Sequence, residues 1–160
     1  MKIVVMGVTS TGKSLIGARL AEALGGRFID GDDLHPKANV DKMARGEPLD
    51  DTDRAPWLDR VGAALAGEGT RVVACSALKR TYRDRIRHAA GSVTFVHLTG
   101  PREVIAERMA ERKGHFMPVS LLDSQLATLE APGMGEQVVT LDLTLNPTAM
   151  VRQALDVLRR

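Results

Sequence analysis

Two hydrophobic rhythms alternate along this chain. Short, mostly apolar runs predict strands buried on both faces: Ile3-Val4-Val5-Met6, Arg27-Phe28-Ile29-Asp30, Arg71-Val72-Val73-Ala74-Cys75, Val93-Thr94-Phe95-Val96-His97-Leu98 and Val138-Val139-Thr140-Leu141-Asp142. Between them, apolar positions three and four apart predict helices. The first carries Leu15, Ile16, Leu20 and Leu24 and stops at Gly25-Gly26. A second opens at Pro36, runs to about Arg45 and closes at Gly46. A third, from Thr52 or Asp53, turns Trp57, Leu58, Val61 and Leu65 inward, and a fourth spans about Lys79 to His88. The next starts at Pro101 or Arg102, buries Val104, Ile105 and Met109, and stops at Gly114. After Pro118 and Ser120 comes a helix with Leu122, Leu126 and Leu129 on one face, and Asn146-Pro147 caps the last one.

Strands that alternate with helices predict an α/β fold. Its parallel sheet has helices on both faces, joined by right-handed crossovers. Ligands of such sheets bind at the carboxyl ends of the strands. That rule gathers the Gly7 loop, Asp30 to His35, Cys75 to Lys79, Gly100 and Asn146-Pro147 onto one rim. No repeat, low-complexity stretch or linker divides the 160 residues, so one domain over 1–160 is expected.

Composition narrows the classes. A net charge of +2 and five aromatic residues (Trp 1, Tyr 1, Phe 3) argue against a nucleic-acid partner. One cysteine, Cys75, forms no internal disulfide, and the four histidines lack metal-ligand spacing. Met1-Lys2 leads straight into the first strand, and no apolar run reaches membrane-spanning length. The expectation is a soluble cytoplasmic domain with no membrane partner.

The turn after the first strand carries the chemistry. Gly7-Val8-Thr9-Ser10-Thr11-Gly12-Lys13-Ser14 fits G-x-x-x-x-G-K-[ST], the phosphate-binding P-loop. A strand precedes it and a helix follows, as a phosphate cradle requires. Backbone N–H groups of the turn and the start of the helix, up to about Leu15, face an anion, with the helix dipole behind them. Lys13 reaches the β- and γ-phosphates, and the Ser14 hydroxyl binds Mg²⁺. A nucleoside triphosphate is the expected ligand.

P-loop NTPases commonly hold the metal with an acid after an apolar strand, but the third strand here runs into Cys75-Ser76. Asp30-Gly31-Asp32-Asp33 is the alternative source. Asp30 then stands beside the metal, and Asp32 reaches an acceptor hydroxyl as base. Arg108 and Arg112, four apart on one helix, are a candidate clamp on the transferring phosphoryl; the plain alternative is a solvated basic face, partly neutralised by Glu107 and Glu111. Lys79 and Arg83 share a face near the third strand's end and suit an anionic acceptor such as a carboxylate. His35 is either a substrate contact or a turn residue, and Trp57 reads as core.

Taken together, the chain resembles the gluconate kinases, relatives of the shikimate kinases among small P-loop kinases. Beyond the P-loop, the likeness rests on Asp30-Gly-Asp-Asp-Leu-His-Pro36, Gly46-Glu-Pro-Leu-Asp-Asp-Thr-Asp-Arg-Ala-Pro-Trp-Leu58, Cys75-Ser-Ala-Leu-Lys-Arg-Thr-Tyr-Arg-Asp84 and Arg112-Lys-Gly-His-Phe-Met117. The resemblance implies a nucleoside-monophosphate-kinase-like fold with strand order 2-3-1-4-5 and a lid at about 113–130. It implies transfer of the ATP γ-phosphoryl to the 6-hydroxyl of D-gluconate with Mg²⁺, and often a homodimer. Carried over, Lys13, Asp32 and Arg112 are catalytic, and Ser14 holds the metal. His35, Lys79 and Arg83 lie on the gluconate side, Arg108 lies near the phosphates, and Asn146-Pro147 flanks adenine. Ser10 departs from the family's usual Gly-Val-Ser-Gly-Ser-Gly-Lys-Ser and is strained if its φ is positive. The competing readings are a kinase of shikimate or another hydroxy acid, and a nucleotide-binding module without catalysis.

Overall fold

The computed structural model describes residues 1–112 and 118–160. Five parallel strands, β1 (Lys2–Met6), β2 (Arg27–Asp30), β3 (Arg71–Ala74), β4 (Thr94–Thr99) and β5 (Gln137–Asp142), form one sheet in the order β2-β3-β1-β4-β5. This is the order implied by the resemblance. Seven α-helices lie among the described residues: α1 (Lys13–Ala23), α2 (Lys37–Ala44), α3 (Asp51–Leu65), α4 (Arg80–Ala90), α5 (Arg102–Glu111), α6 (Val119–Thr128) and α7 (Pro147–Leu158). None is long and apolar enough to cross a membrane.

Period-two alternation splits each strand between two cores. Ile3 and Val5 of β1 join Val72, Val96, Leu98, Val139 and Leu141 beneath α1, α5, α6 and α7. Val4 and Met6 face the other way with Val73 and Phe95, beneath Trp57, Leu58, Val61 and Leu65 of α3 and Tyr82 and Ile86 of α4. Each fully buried aliphatic or aromatic side chain here contributes about 1.5–3 kcal/mol by leaving water. The helices therefore bracket the sheet and leave the carboxyl ends of its strands open as one rim.

Local chemistry moves several boundaries from their expected places. α3 begins at Asp51, one residue before Thr52 and two before Asp53, because Asp50 and Asp53 form a reciprocal capping box. α5 stops at Glu111 rather than at Gly114: Arg112 takes an extended conformation (φ −69°, ψ 113°). The expected stop at Gly114 and part of the expected lid fall on residues 113–117, outside the described residues. The remainder of that segment contains α6. A 3₁₀ turn over Gly31–Leu34, absent from the periodicity, follows β2 directly. Gly31 permits it: a Cβ there would stand 2.2 Å from the carbonyl oxygen of Ala74 on the neighbouring strand. Trp57 Nε1 donates to the Gly31 carbonyl at 2.7 Å, so this tryptophan fixes the acidic turn as well as filling the core.

Candidate active site

The P-loop leaves β1 through Gly7 (φ 151°), where a side chain would press within 2.8 Å of the Leu98 carbonyl. Thr11 Oγ1 donates to the Val8 carbonyl at 2.9 Å and closes the loop upon itself. Gly12 takes φ 93°, and α1 starts at the next residue. Ser10 does have positive φ, 62°. An L-residue there is strained by about 1 kcal/mol or more, although a glycine would surrender part of that gain through chain entropy. Ser10→Gly should therefore raise stability by about 0.5 kcal/mol, read as a denaturant midpoint moving up at constant m.

A cavity of about 610 Å³ opens at this loop. Its lining brings together Lys13, Ser14 and Leu15 of α1, Asp30 at the end of β2 and Asp32 just beyond it, Cys75 and Ser76 after β3, and Arg108 and Arg112 at the end of α5. Thr9, Ser10 and Gly12 belong to the same wall. Of the remaining loop residues, Val8 and Thr11 are buried and shape the turn from within.

Lys13 Nζ donates to the Val8 carbonyl at 2.8 Å. Burial pushes its pKa down to about 8, against the attraction of Asp32 and Asp30 and with the repulsion of Arg112. An arriving phosphate would restore the full charge. Ser14 Oγ donates to Asp30 Oδ2 at 3.2 Å, and the other Asp30 oxygen accepts the Asp32 N–H at 3.0 Å. Asp30 thereby orients Asp32, whose own carboxylate carries no hydrogen bond among the described residues. Arg108 donates to the Leu143 carbonyl at 2.6 Å, and Arg112 Nη1 reaches Ser10 Oγ at 3.4 Å. Both arginines line the cavity, but not as one helical face: the chain has left the helix at Arg112, and its side chain turns back onto the P-loop. Burial lifts the Cys75 thiol to about 12, so this cavity-lining sulfur is a neutral thiol at ordinary pH.

The expected acceptor residues divide. His35 stacks on Trp57 with ring centroids 4.2 Å apart, and its Nδ1 pairs with Asn39 Nδ2 at 3.2 Å. Its pKa is lowered, first by burial, with Asp32 and Arg54 pulling in opposite directions nearby. Lys79 lies 3.7 Å from Asp51 and over the Tyr82 ring, beside Arg54 and outside the cavity wall. Arg83 is not at the cleft surface. Its side chain is fully buried, and all five N–H donors are engaged by Glu136, the Ala77 and Leu78 carbonyls and the Glu130 carbonyl. The shared face with Lys79 is lost because Lys79 caps α4 with an extended backbone. Asn146 caps α7, its Oδ1 accepting the Ala149 N–H at 2.9 Å, and Pro147 is the first helical residue; neither lines the cavity.

Sequence reasoning missed Gln125, Met43 and Leu121 on the cavity wall and Arg54 beside His35. For Gln125 a signal existed. It occupies the i+3 place of the apolar stripe Leu122, Leu126 and Leu129, where a polar residue needs a reason.

This phosphate cradle, at the strand ends of a 2-3-1-4-5 sheet with helices on both faces, defines a P-loop kinase domain. The family described as AAA domain matches residues 3–132. The thermosensitive gluconokinase of Escherichia coli is 46% identical, covering 98% of this chain and 88% of that protein. The gluconokinase of Gluconobacter oxydans is also 46% identical, with 96% and 88% covered. A crystal structure of a gluconokinase from Sinorhizobium meliloti superposes with a TM-score of 0.91 at 51% identity, covering 99% of this chain and 91% of that one. The shikimate kinase of Aquifex aeolicus, at 18% identity and a TM-score of 0.60, shares the fold alone. The chain belongs to the gluconokinase family.

Proposed function

We propose that this chain transfers the γ-phosphoryl of ATP to the 6-hydroxyl of D-gluconate, giving 6-phospho-D-gluconate and ADP, as one cytoplasmic kinase domain. The observation that carries the reading is a cavity with Lys13, Asp32 and Arg112 together on its wall, in a chain of this family. The P-loop amides and Lys13 hold the phosphates. Arg108 and Arg112 place positive charge where negative charge develops on the transferring group. Asp32 orients the acceptor hydroxyl and takes its proton late, since the transition state is loose and positioning dominates. His35 on its tryptophan platform, with Arg54 and Lys79 beyond it, offers donors and cations to a polyhydroxy carboxylate.

Mg²⁺ suits the donors present. Ser14 Oγ and Asp30 are hard oxygen ligands, and a cation with few protein ligands keeps the rest of its shell for phosphate and water. When bound, it would neutralise phosphate charge.

The reading is tested by coupled ADP release with gluconate, shikimate and other sugar acids. Gluconate should give at least about 100-fold higher kcat/KM than shikimate, a floor well below the roughly 10⁴–10⁵ that a site built on hydrogen bonds to its substrate can reach. Activity on shikimate alone would move the assignment, and the absence of gluconate-dependent ADP release would end it.

A further inference from the structure

One polar contact joins the P-loop to the helix above it. Thr9 N–H donates to Gln125 Oε1 at 2.7 Å, across 116 residues of sequence. The same Val8–Thr9 peptide accepts Lys13 Nζ and Thr11 Oγ1 at its carbonyl, so both of its ends are held. With the oxygen committed, the Gln125 amide nitrogen is left without a protein partner among the described residues, and the residue lines the phosphate cavity. That nitrogen is not buried, so it meets solvent in the cavity and is free to donate to a ligand that displaces the water.

The helix bearing Gln125 is well anchored. Leu122 is fully buried, Asp123 takes a bidentate pair from Arg102 of α5, and the following Glu130 accepts from the Arg80 N–H and donates its own N–H to the Leu78 carbonyl. A donor on such a support is pre-organised and needs no rearrangement when charge arrives. Lys13, Arg108 and Arg112 bring cationic donors to this wall and Ser10, Ser14 and Ser76 bring hydroxyls; Gln125 adds an amide N–H from α6.

We infer that Gln125 is a hydrogen-bond donor to the terminal phosphoryl group of the bound nucleoside triphosphate, oriented by its own acceptance of the Thr9 N–H. This rests on the kinase reading above. Gln125 therefore distinguishes a triphosphate from a diphosphate, which lacks the group it contacts.

Replacing the amide by a carboxylate separates this role from that of a tether. Gln125→Glu keeps an acceptor for the Thr9 N–H, and a charged one holds it more strongly, but replaces the donor by a negative charge. ADP and the β,γ-imido analogue of ATP, each with Mg²⁺, are titrated into the wild-type chain, Gln125→Glu and Gln125→Ala, with a thermal melt of each. The analogue should weaken about 10-fold in Gln125→Ala, the loss of roughly one hydrogen bond to a charged group. It should weaken about 100-fold in Gln125→Glu, while ADP stays within about threefold and the Glu variant melts no lower than wild type. Equal losses for ADP and analogue, or a Glu variant that restores what Ala loses, would overturn the inference and make Gln125 a tether. A wild-type chain that binds neither nucleotide would instead overturn the kinase reading, and this inference with it.

Discussion

Asp32→Asn should lower kcat by about 10²–10⁴-fold while leaving the affinity for ATP within about threefold of wild type. The substitution is nearly isosteric. It retains the backbone N–H that donates to Asp30 Oδ1, so the turn that presents residue 32 to the cavity survives. What disappears is the capacity to accept a proton and the negative charge facing the acceptor. Because Asp32 is the strongest attraction acting on Lys13, its neutralisation also pushes the lysine further down from about 8. The comparison therefore belongs at pH 7 or below, where Lys13 still carries its charge in both proteins. Single-turnover quench with excess enzyme reads the chemical step free of product release. A rate within tenfold of wild type would remove Asp32 as the base and shift attention to Asp30, whose two oxygens already hold Ser14 and the Asp32 amide.

The strands and most helices were legible because burial on two faces and burial on one leave different periods. Gly7, Gly12, Lys13 and Ser14 were legible because a phosphate cradle needs those residue types at that spacing. Residues whose role depends on another element were not. Arg83 and Lys79 lie four apart and read as one basic face, yet Arg83 finds its carboxylate on Glu136, 53 residues later. No local pattern separates a guanidinium awaiting a substrate from one already paired. Arg112 read as helical because nothing before it breaks α5, and its return to Ser10 depends on a loop 102 residues earlier. Gln125 was legible in principle as a polar intruder on an apolar stripe, although its partner, a backbone N–H, has no sequence signature.

Arg83 thus leads to the second large effect, which falls on stability. Its guanidinium clamps Glu136 while holding the Ala77 carbonyl, and Ala77 sits at φ 47°, a strained conformation for an L-residue. Arg87 Nη1 adds a second cation 2.9 Å from Glu136 Oε1. Burial opposes charge on Glu136, but hydrogen bonds from Arg83 and the Gly133 N–H, with the Arg87 cation beside them, outweigh it and hold the carboxyl at about 2. A carboxyl lowered from 4.5 to about 2 contributes roughly 3 kcal/mol of stability above pH 4.5, lost as pH falls toward 2. Glu136→Gln leaves the Arg83 guanidinium buried without its counter-charge and should cost about 3–5 kcal/mol, lowering Tm by roughly 10 °C. Its stability should also fall less steeply than wild type between pH 4.5 and 2, because the titrating group is gone. Arg83→Lys keeps the charge but loses the five-donor fork, and should also melt lower. Measured below its melting range, however, it should keep the KM for gluconate within about twofold, as expected of a residue that supports the β3–α4 turn without touching substrate. A tenfold rise in that KM at unchanged Tm would return Arg83 to the acceptor site.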